Sequence, residues 1–268
     1  MLKKSLISTA VAAALMVPAL SAFAADAAPA AEAAPASPHT FTANVTLASE
    51  YIYRGIAQTR GNPAIQGGFD YSHASGLYAG TWASSISWLG DTAAASGAGM
   101  EWDIYGGYKN SFAGGDWNYD VGVLTYNYPG HYAAGIPRAD TTELYGQIGY
   151  KWLTLKYSHV VSSHIFGWTS TTGGKTDGSG YLDLSGSYDL GNGWGVAAHV
   201  GHQRIKDRAT ASYSDWKLGV TKDVGFGVVG LAYTDTNAKD TCSKGEDYCL
   251  GGYEAGKGTA VLSFTKTF

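Results

Sequence analysis

The chain is 268 residues long with a formal charge of -4, and only 15% of its residues are charged, where about a quarter is usual for a soluble domain. It has no arginine- or lysine-rich run, which excludes a nucleic-acid interface. Past the N-terminal region no stretch reaches the roughly 18–20 apolar residues of a membrane-spanning helix. What remains is a chain with 37 glycines and 13% aromatic residues, the composition of short strands, tight turns and aromatic girdles.

Lys3 and Lys4 precede an apolar run from Leu6 to Leu20, and Ala22-Phe23-Ala24 closes it with an A-x-A site. Residues 1–24 therefore read as a secretory signal cleaved after Ala24. Its loss, with both lysines, makes the mature chain two units more negative. Residues 25–38 are nearly all Ala and Pro and read as an extended periplasmic linker that cannot build a core. Residues 39–268 suit a single all-β domain.

Period-two alternation begins at once. Phe41, Ala43, Val45, Leu47, Tyr51 and Tyr53 oppose Thr42, Asn44, Thr46, Glu50 and Arg54; Ile65, Phe69 and Tyr71 oppose Gln66, Asp70 and Ser72. From Leu77 to Ser87 both faces are apolar or small, and the facing is ambiguous. Met100, Trp102, Ile104 and Tyr108 then oppose Glu101, Asp103 and Lys109, and Trp117, Tyr119, Val121 and Val123 oppose Asn118, Asp120 and Gly122. Leu144, Ile148 and Tyr150 face away from Glu143 and Gln147, as do Leu153, Leu155 and Tyr157 from Lys156 and Ser158. Leu182, Leu184 and Tyr188 oppose Asp183 and Ser185; Trp194, Val196 and Val200 oppose His199 and Gln203; Trp216, Leu218 and Val220 oppose Asp215 and Lys217. Val229, Leu231 and Tyr233 precede a final strand with Ala260, Leu262, Phe264 and Phe268 on one face. The count is about twelve, an even number, as single-chain bacterial outer-membrane barrels have.

The connections alternate in length. Those at 73–76, 110–116, 151–152, 191–193 and 223–227 are short, while those at 55–63, 89–99, 129–141, 162–180, 204–213 and 235–258 are long. Short periplasmic turns and long extracellular loops have this rhythm, and a Greek-key sandwich has no reason for it. The fold class expected is therefore all-β: a closed antiparallel transmembrane barrel in the outer membrane of a Gram-negative bacterium. An amphipathic last strand ending in an aromatic is similar to the C-terminal signature read by the barrel-assembly machinery, with Phe264 and Phe268 as its residues. Outer-membrane lipids and that machinery are the partners expected.

Lipid accepts only apolar side chains, so the polar face of each strand must point inward. The inward set carries Glu50, Asp70, Glu101, Asp103, Asp120, Glu143, Asp183 and Asp215, with Arg54, Lys109, Lys156 and Lys217 as bases. Two readings stay open. Either these charges pair across a narrow lumen and stiffen a plugged barrel, or the excess acids line a small pore for solutes or ions and favour cations.

The segment Ser49-Glu50-Tyr51-Ile52-Tyr53-Arg54-Gly55-Ile56-Ala57-Gln58-Thr59, followed by Gln66-Gly67-Gly68-Phe69-Asp70-Tyr71 and the terminal Thr-Lys-Thr-Phe, resembles the TorF-type porin family of proteobacteria. The S-x-Y-x-x-R-G-I-x-Q-T opening and the Q-G-G-F-D-Y that follows carry the resemblance. It implies an outer-membrane barrel, a porin by fold, and brings no substrate or cofactor with it.

Other chemical motifs are scarce. No glycine-rich stretch has the context or the lysine of a phosphate loop. His199 and His202 fall on opposite faces of one strand and make no metal-ligand pair. A lipid hydrolase on the barrel wall is suggested by Ser158 and His159, but these also face opposite ways and lack an acid at suitable spacing. Cys242 and Cys249 lie in the longest loop of an exported chain, where an even count favours a disulfide.

Overall fold

The computed structural model describes residues 37–268. The expected leader, 1–24, lies outside the described residues, as does all but the last two residues of the linker. Twelve strands make the barrel: β1 (His39–Ala48), β2 (Ala64–His73), β3 (Leu77–Ser85), β4 (Met100–Phe112), β5 (Trp117–Asn127) and β6 (Thr141–Tyr150). The second half is β7 (Leu153–Val160), β8 (Gly180–Gly191), β9 (Trp194–Arg204), β10 (Tyr213–Asp223), β11 (Val228–Thr236) and β12 (Thr259–Thr267).

Each strand pairs antiparallel with its sequence neighbours, and β1 also pairs with β12, so the sheet closes without an edge. The seam runs from Asn44 opposite Thr267 to Ala48 opposite Ser263. Reciprocal backbone bonds between Ala43 and Phe268, at 2.8 and 3.2 Å, extend it to the last residue. Closure satisfies the backbone groups that lipid cannot.

Side-chain direction follows the period-two pattern. Phe41, Ile65, Ile104, Leu144, Leu184, Leu218, Leu231 and Leu262 all stand exposed on the outer wall. Each gains roughly 1.5–3 kcal/mol when fully buried, so this belt requires an apolar surround. At the short-turn end Phe112 stacks on Trp117, and Trp117 packs on Tyr150 with ring centroids 4.7 Å apart, forming part of an aromatic girdle. The ambiguous segment is resolved: Tyr78, Trp82 and Ser84 of β3 turn inward, and Leu77 turns out.

The β8–β9 turn is Asn192-Gly193, both residues at positive φ, the backbone that matches the twist of a two-residue hairpin. The long connections cluster at the other end and bury their apolar residues over the mouth. Tyr51, Tyr53, Leu89, Ala98 and Tyr128 gather over the β3–β6 side, and Ile56, Ile165, Ile205, Tyr213 and Tyr248 over the β7–β11 side. The last loop is closed on itself by the Cys242–Cys249 disulfide. It is also clasped to the β9–β10 loop, where Arg208 and Thr210 both donate to Asp247. Burial alone would raise the Asp247 carboxyl, but these hydrogen bonds outweigh it and hold the group below its usual range.

One expectation needs correction. The alternation through Arg54 predicts that the first strand continues to that residue with Tyr51 and Tyr53 facing lipid. Instead β1 stops at Ala48, and both tyrosines are buried. The physical reason is a reversal at Arg54 and Gly55, whose φ angles of 46° and 77° fold Ile52–Tyr53 back against Ile56–Ala57 as a small inward-pointing hairpin.

Candidate functional site

The inward hairpin builds the site. Its residues Tyr51 to Thr59 are buried apart from the half-buried Ile52, and they reach across the lumen to the far wall. The Tyr51 hydroxyl donates to Glu101 of β4 at 2.8 Å, and the Tyr53 hydroxyl lies 2.6 Å from that of Tyr126 on β5. At the hairpin tip Arg54 donates twice to Glu143 of β6, at 2.9 and 2.8 Å, and once to Gln203 of β9 at 2.8 Å. Its guanidinium also lies over the Tyr181 ring of β8, 4.2 Å from the centroid. The Arg54 and Glu143 side chains are 2% and 0% exposed, so this is a fork-to-fork ion pair removed from water.

Gly55 allows the tip to seat. A Cβ there would come within 2.3 Å of Thr236 on β11 and 2.7 Å of Asp215 on β10. With a positive φ as well, the position has both a backbone and a steric reason to be glycine.

Tyrosine hydroxyls satisfy most of the inward acids. Glu101 accepts from Tyr51 and also from Tyr128, at 3.0 Å; Asp70 accepts from Tyr105 at 2.5 Å. Asp120 accepts from Tyr78 at 2.6 Å, and Asp215 accepts from Tyr181 at 2.9 Å. Tyr78 and Tyr145 share a further short hydrogen bond. Several of these tyrosines carry their hydroxyl ends over an inward glycine of the adjacent strand: Tyr105 over Gly80, Tyr145 over Gly122 and Tyr181 over Gly201. Lys156 sits 4.0 Å from the Tyr145 centroid and Lys109 5.0 Å from that of Tyr78. His199 lies between two acids, with Nδ1 3.0 Å from Asp183 and Nε2 3.5 Å from Asp215.

The strand-borne acids and lysines singled out in the sequence thus all project inward, Lys217 among them on β10. Arg54 and Glu50 differ in kind, since both lie beyond the end of β1. Glu50 belongs to the cap, where it accepts from the Gly61 amide at 2.7 Å and from Tyr253 of the last loop at 3.2 Å. Asp103 is buried beside Glu101, and its Oδ1 has no hydrogen-bond partner among the described residues.

Sequence reasoning missed the tyrosines and Gln203 as members of the site. Tyr105, Tyr145, Tyr181 and Gln203 share parity with acids on their own or paired strands, and that signal was readable. Tyr51 and Tyr53 carried none, because they left the strand. Ser158 is buried inside the wall and His159 faces out, so the two do not meet; no cluster able to hold a metal occurs among the described residues.

Comparisons with known proteins agree with this architecture. The model of a family described as a bacterial protein of unknown function (Gcw_chp) matches residues 32–268. No curated protein matches the chain. Among solved structures, the NanC porin is 10% identical with a TM-score of 0.50, over 85% of this chain and 98% of that one. The KdgM porin in complex with disordered oligogalacturonate is 5% identical with a TM-score of 0.49, at the same coverages. An outer-membrane channel from Pseudomonas putida F1 is 14% identical with a TM-score of 0.44, over 91% of this chain and all of that one. The likeness to NanC is one of fold: a porin-like outer-membrane β-barrel.

Proposed function

The chain belongs to the bacterial family Gcw_chp, and from that premise we propose that it is an outer-membrane channel for passive diffusion of small solutes or ions, with its outer mouth restricted by residues 49–59. The TorF-type identity, export through a leader cleaved after Ala24, and residence in the outer membrane are parts of the same proposal. One observation carries it: a closed ladder whose lipid side is apolar and whose inner side carries most of the strand-borne ionisable groups together with a set of tyrosine hydroxyls.

The inward carboxylates outnumber the lysines, and Arg54 neutralises one of them, Glu143. On the strands Asp70, Glu101, Asp103, Asp120, Asp183 and Asp215 remain, and this excess of acids favours cations in a confined aqueous path. The preference strengthens at low salt, where the Debye length reaches about 30 Å at 0.01 M. A second reading, a plugged structural barrel, is favoured by one observation, the complete burial of the Arg54 fork against the far wall.

Planar-bilayer recording of the refolded full chain separates the two. Channels with a cation-selective reversal potential are expected, and joint replacement of Asp103 and Asp120 by Asn should reduce that selectivity. Anion preference would refute the charge argument. Absence of channels in well-folded protein, both native and Arg54→Ala, would leave the plugged barrel as the function.

A further inference from the structure

On the outer wall, at the long-loop end of β7–β10, we propose a binding site for one phosphorylated, acylated lipid of the outer leaflet. The inference rests on the outer-membrane reading above. The wall is recessed there in a groove of about 720 Å³, within the usual span of small-ligand sites, roughly 300–1,000 Å³.

Register arranges the groove in three rows. The lowest is apolar and crosses four strands, with Leu155 opposite Leu184, Leu184 opposite Val200 and Val200 opposite Trp216. The next row sets Leu182 beside His202 and His202 beside Ser214. His202 Nδ1 lies 2.9 Å from Ser214 Oγ, and the Ser214 amide donates to Asn237 Oδ1 at 2.7 Å, so this polar edge is held in place. In the row nearest the loops Arg204 stands opposite Gly180. The Tyr157 side chain lies over Gly180 and walls the recess on the β7 side, while the small Ser214 side chain keeps it shallow on the β10 side.

The charge on this rim is positive. Arg204 donates one bond, to the Gly178 carbonyl at 3.2 Å, and has no carboxylate partner among the described residues. Lys206 is half-exposed nearby, with its Nζ 3.9 Å from Asp177. Its side chain passes within 3.6 Å of the position a Cβ on Gly178 would occupy, the same residue that holds Arg204. A guanidinium with spare donors above an apolar slot matches a molecule whose phosphate sits directly above its acyl chains. The His202–Ser214 pair falls at the level between them, where such a lipid carries hydroxyl and ester oxygens. A plain hydrocarbon belt needs neither the cation nor the ordered hydrogen bonds.

The test is titration of the refolded full chain in detergent, followed by native mass spectrometry, with bis-phosphorylated lipid A and its dephosphorylated form as probes. The expected result is one bound molecule, with the phosphorylated form preferred roughly tenfold. Arg204→Ala should abolish the preference, and Val200→Trp, which fills the slot, should weaken both forms. Equal binding of the two probes, or binding unchanged in both variants, overturns the site. Insertion into phosphatidylethanolamine–phosphatidylglycerol vesicles, read by heat-modifiable migration, separates the two failures. A chain that inserts but shows no phosphate preference overturns the lipid site alone. A chain that never inserts overturns the membrane reading together with the site.

Discussion

Arg54 joins a segment that has left the barrel wall to strands on its far side, through Glu143 and Gln203. Removing a carboxylate and a guanidinium from water costs several kcal/mol per ion, and only a bidentate geometry with further acceptors offsets it. Cutting one partner away strands the other. Arg54→Ala should therefore destabilise the folded barrel by about 3–5 kcal/mol, and Arg54→Ala with Glu143→Gln by distinctly less. Urea titration of the heat-modifiable form measures both, and equal losses in single and double variants would show that the charge of Glu143 is not what matters. Arg54→Lys keeps the charge but loses the fork, so it should fall between the two. Gly55 sets a different limit. Alanine there meets Thr236 and Asp215 at contact distances no real Cβ adopts, and the hairpin tip should lift. Faster proteolysis of residues 49–59 in Gly55→Ala than in the native chain is the expected readout.

The strands and loops divide between two ends of the molecule. Tags inserted near Gly173 or Asp240 should be detected on intact cells, and tags at Gly191-Asn192 only after the outer membrane is opened. Antibody accessibility decides this, and the reverse pattern would invert the topology. Most of this layer was legible in the sequence, because a strand with lipid on one side and polar groups on the other writes its facing into every second residue. Leu144 against Glu143, or Leu182 against Asp183, leaves no freedom of register. The segment Leu77–Ser85 resisted because Gly80 and Ala79 give neither face a character; Tyr78 turns inward through a hydrogen bond to Asp120, which lies 42 residues further on. The inward hairpin was misread for a related reason. Tyr51 and Tyr53 keep the alternation of β1, and only the partners Glu101 and Tyr126 distinguish a buried hydroxyl from one at the membrane interface. Local pattern reports which face a residue takes, but it is silent on contacts across a lumen.

For the whole molecule the decisive feature is the seam. Every other strand pair is joined by a turn or a loop, whereas β1 and β12 meet from opposite ends of the barrel sequence. Phe268 ties the last residue to Ala43, and Phe264 lies opposite Leu47 on the outer face. Phe268→Ala should lower the yield of heat-modifiable protein in cells while leaving the properties of the molecules that do fold unchanged. Normal yield would show that this aromatic is not read during assembly. The seam also places the inward hairpin in time. Arg54 follows directly on β1, which is made early, yet its partners lie 89 and 149 residues further along the chain. Contacts of such separation form late, since the loop they close must first be ordered. The hairpin therefore has no seat until the strands that hold Glu143 and Gln203 exist, and it is completed only as the barrel shuts. Interactions that form after the rate-limiting step slow unfolding and leave folding speed nearly unchanged. An early-made segment thus acts late, as a latch on the escape of an already closed wall.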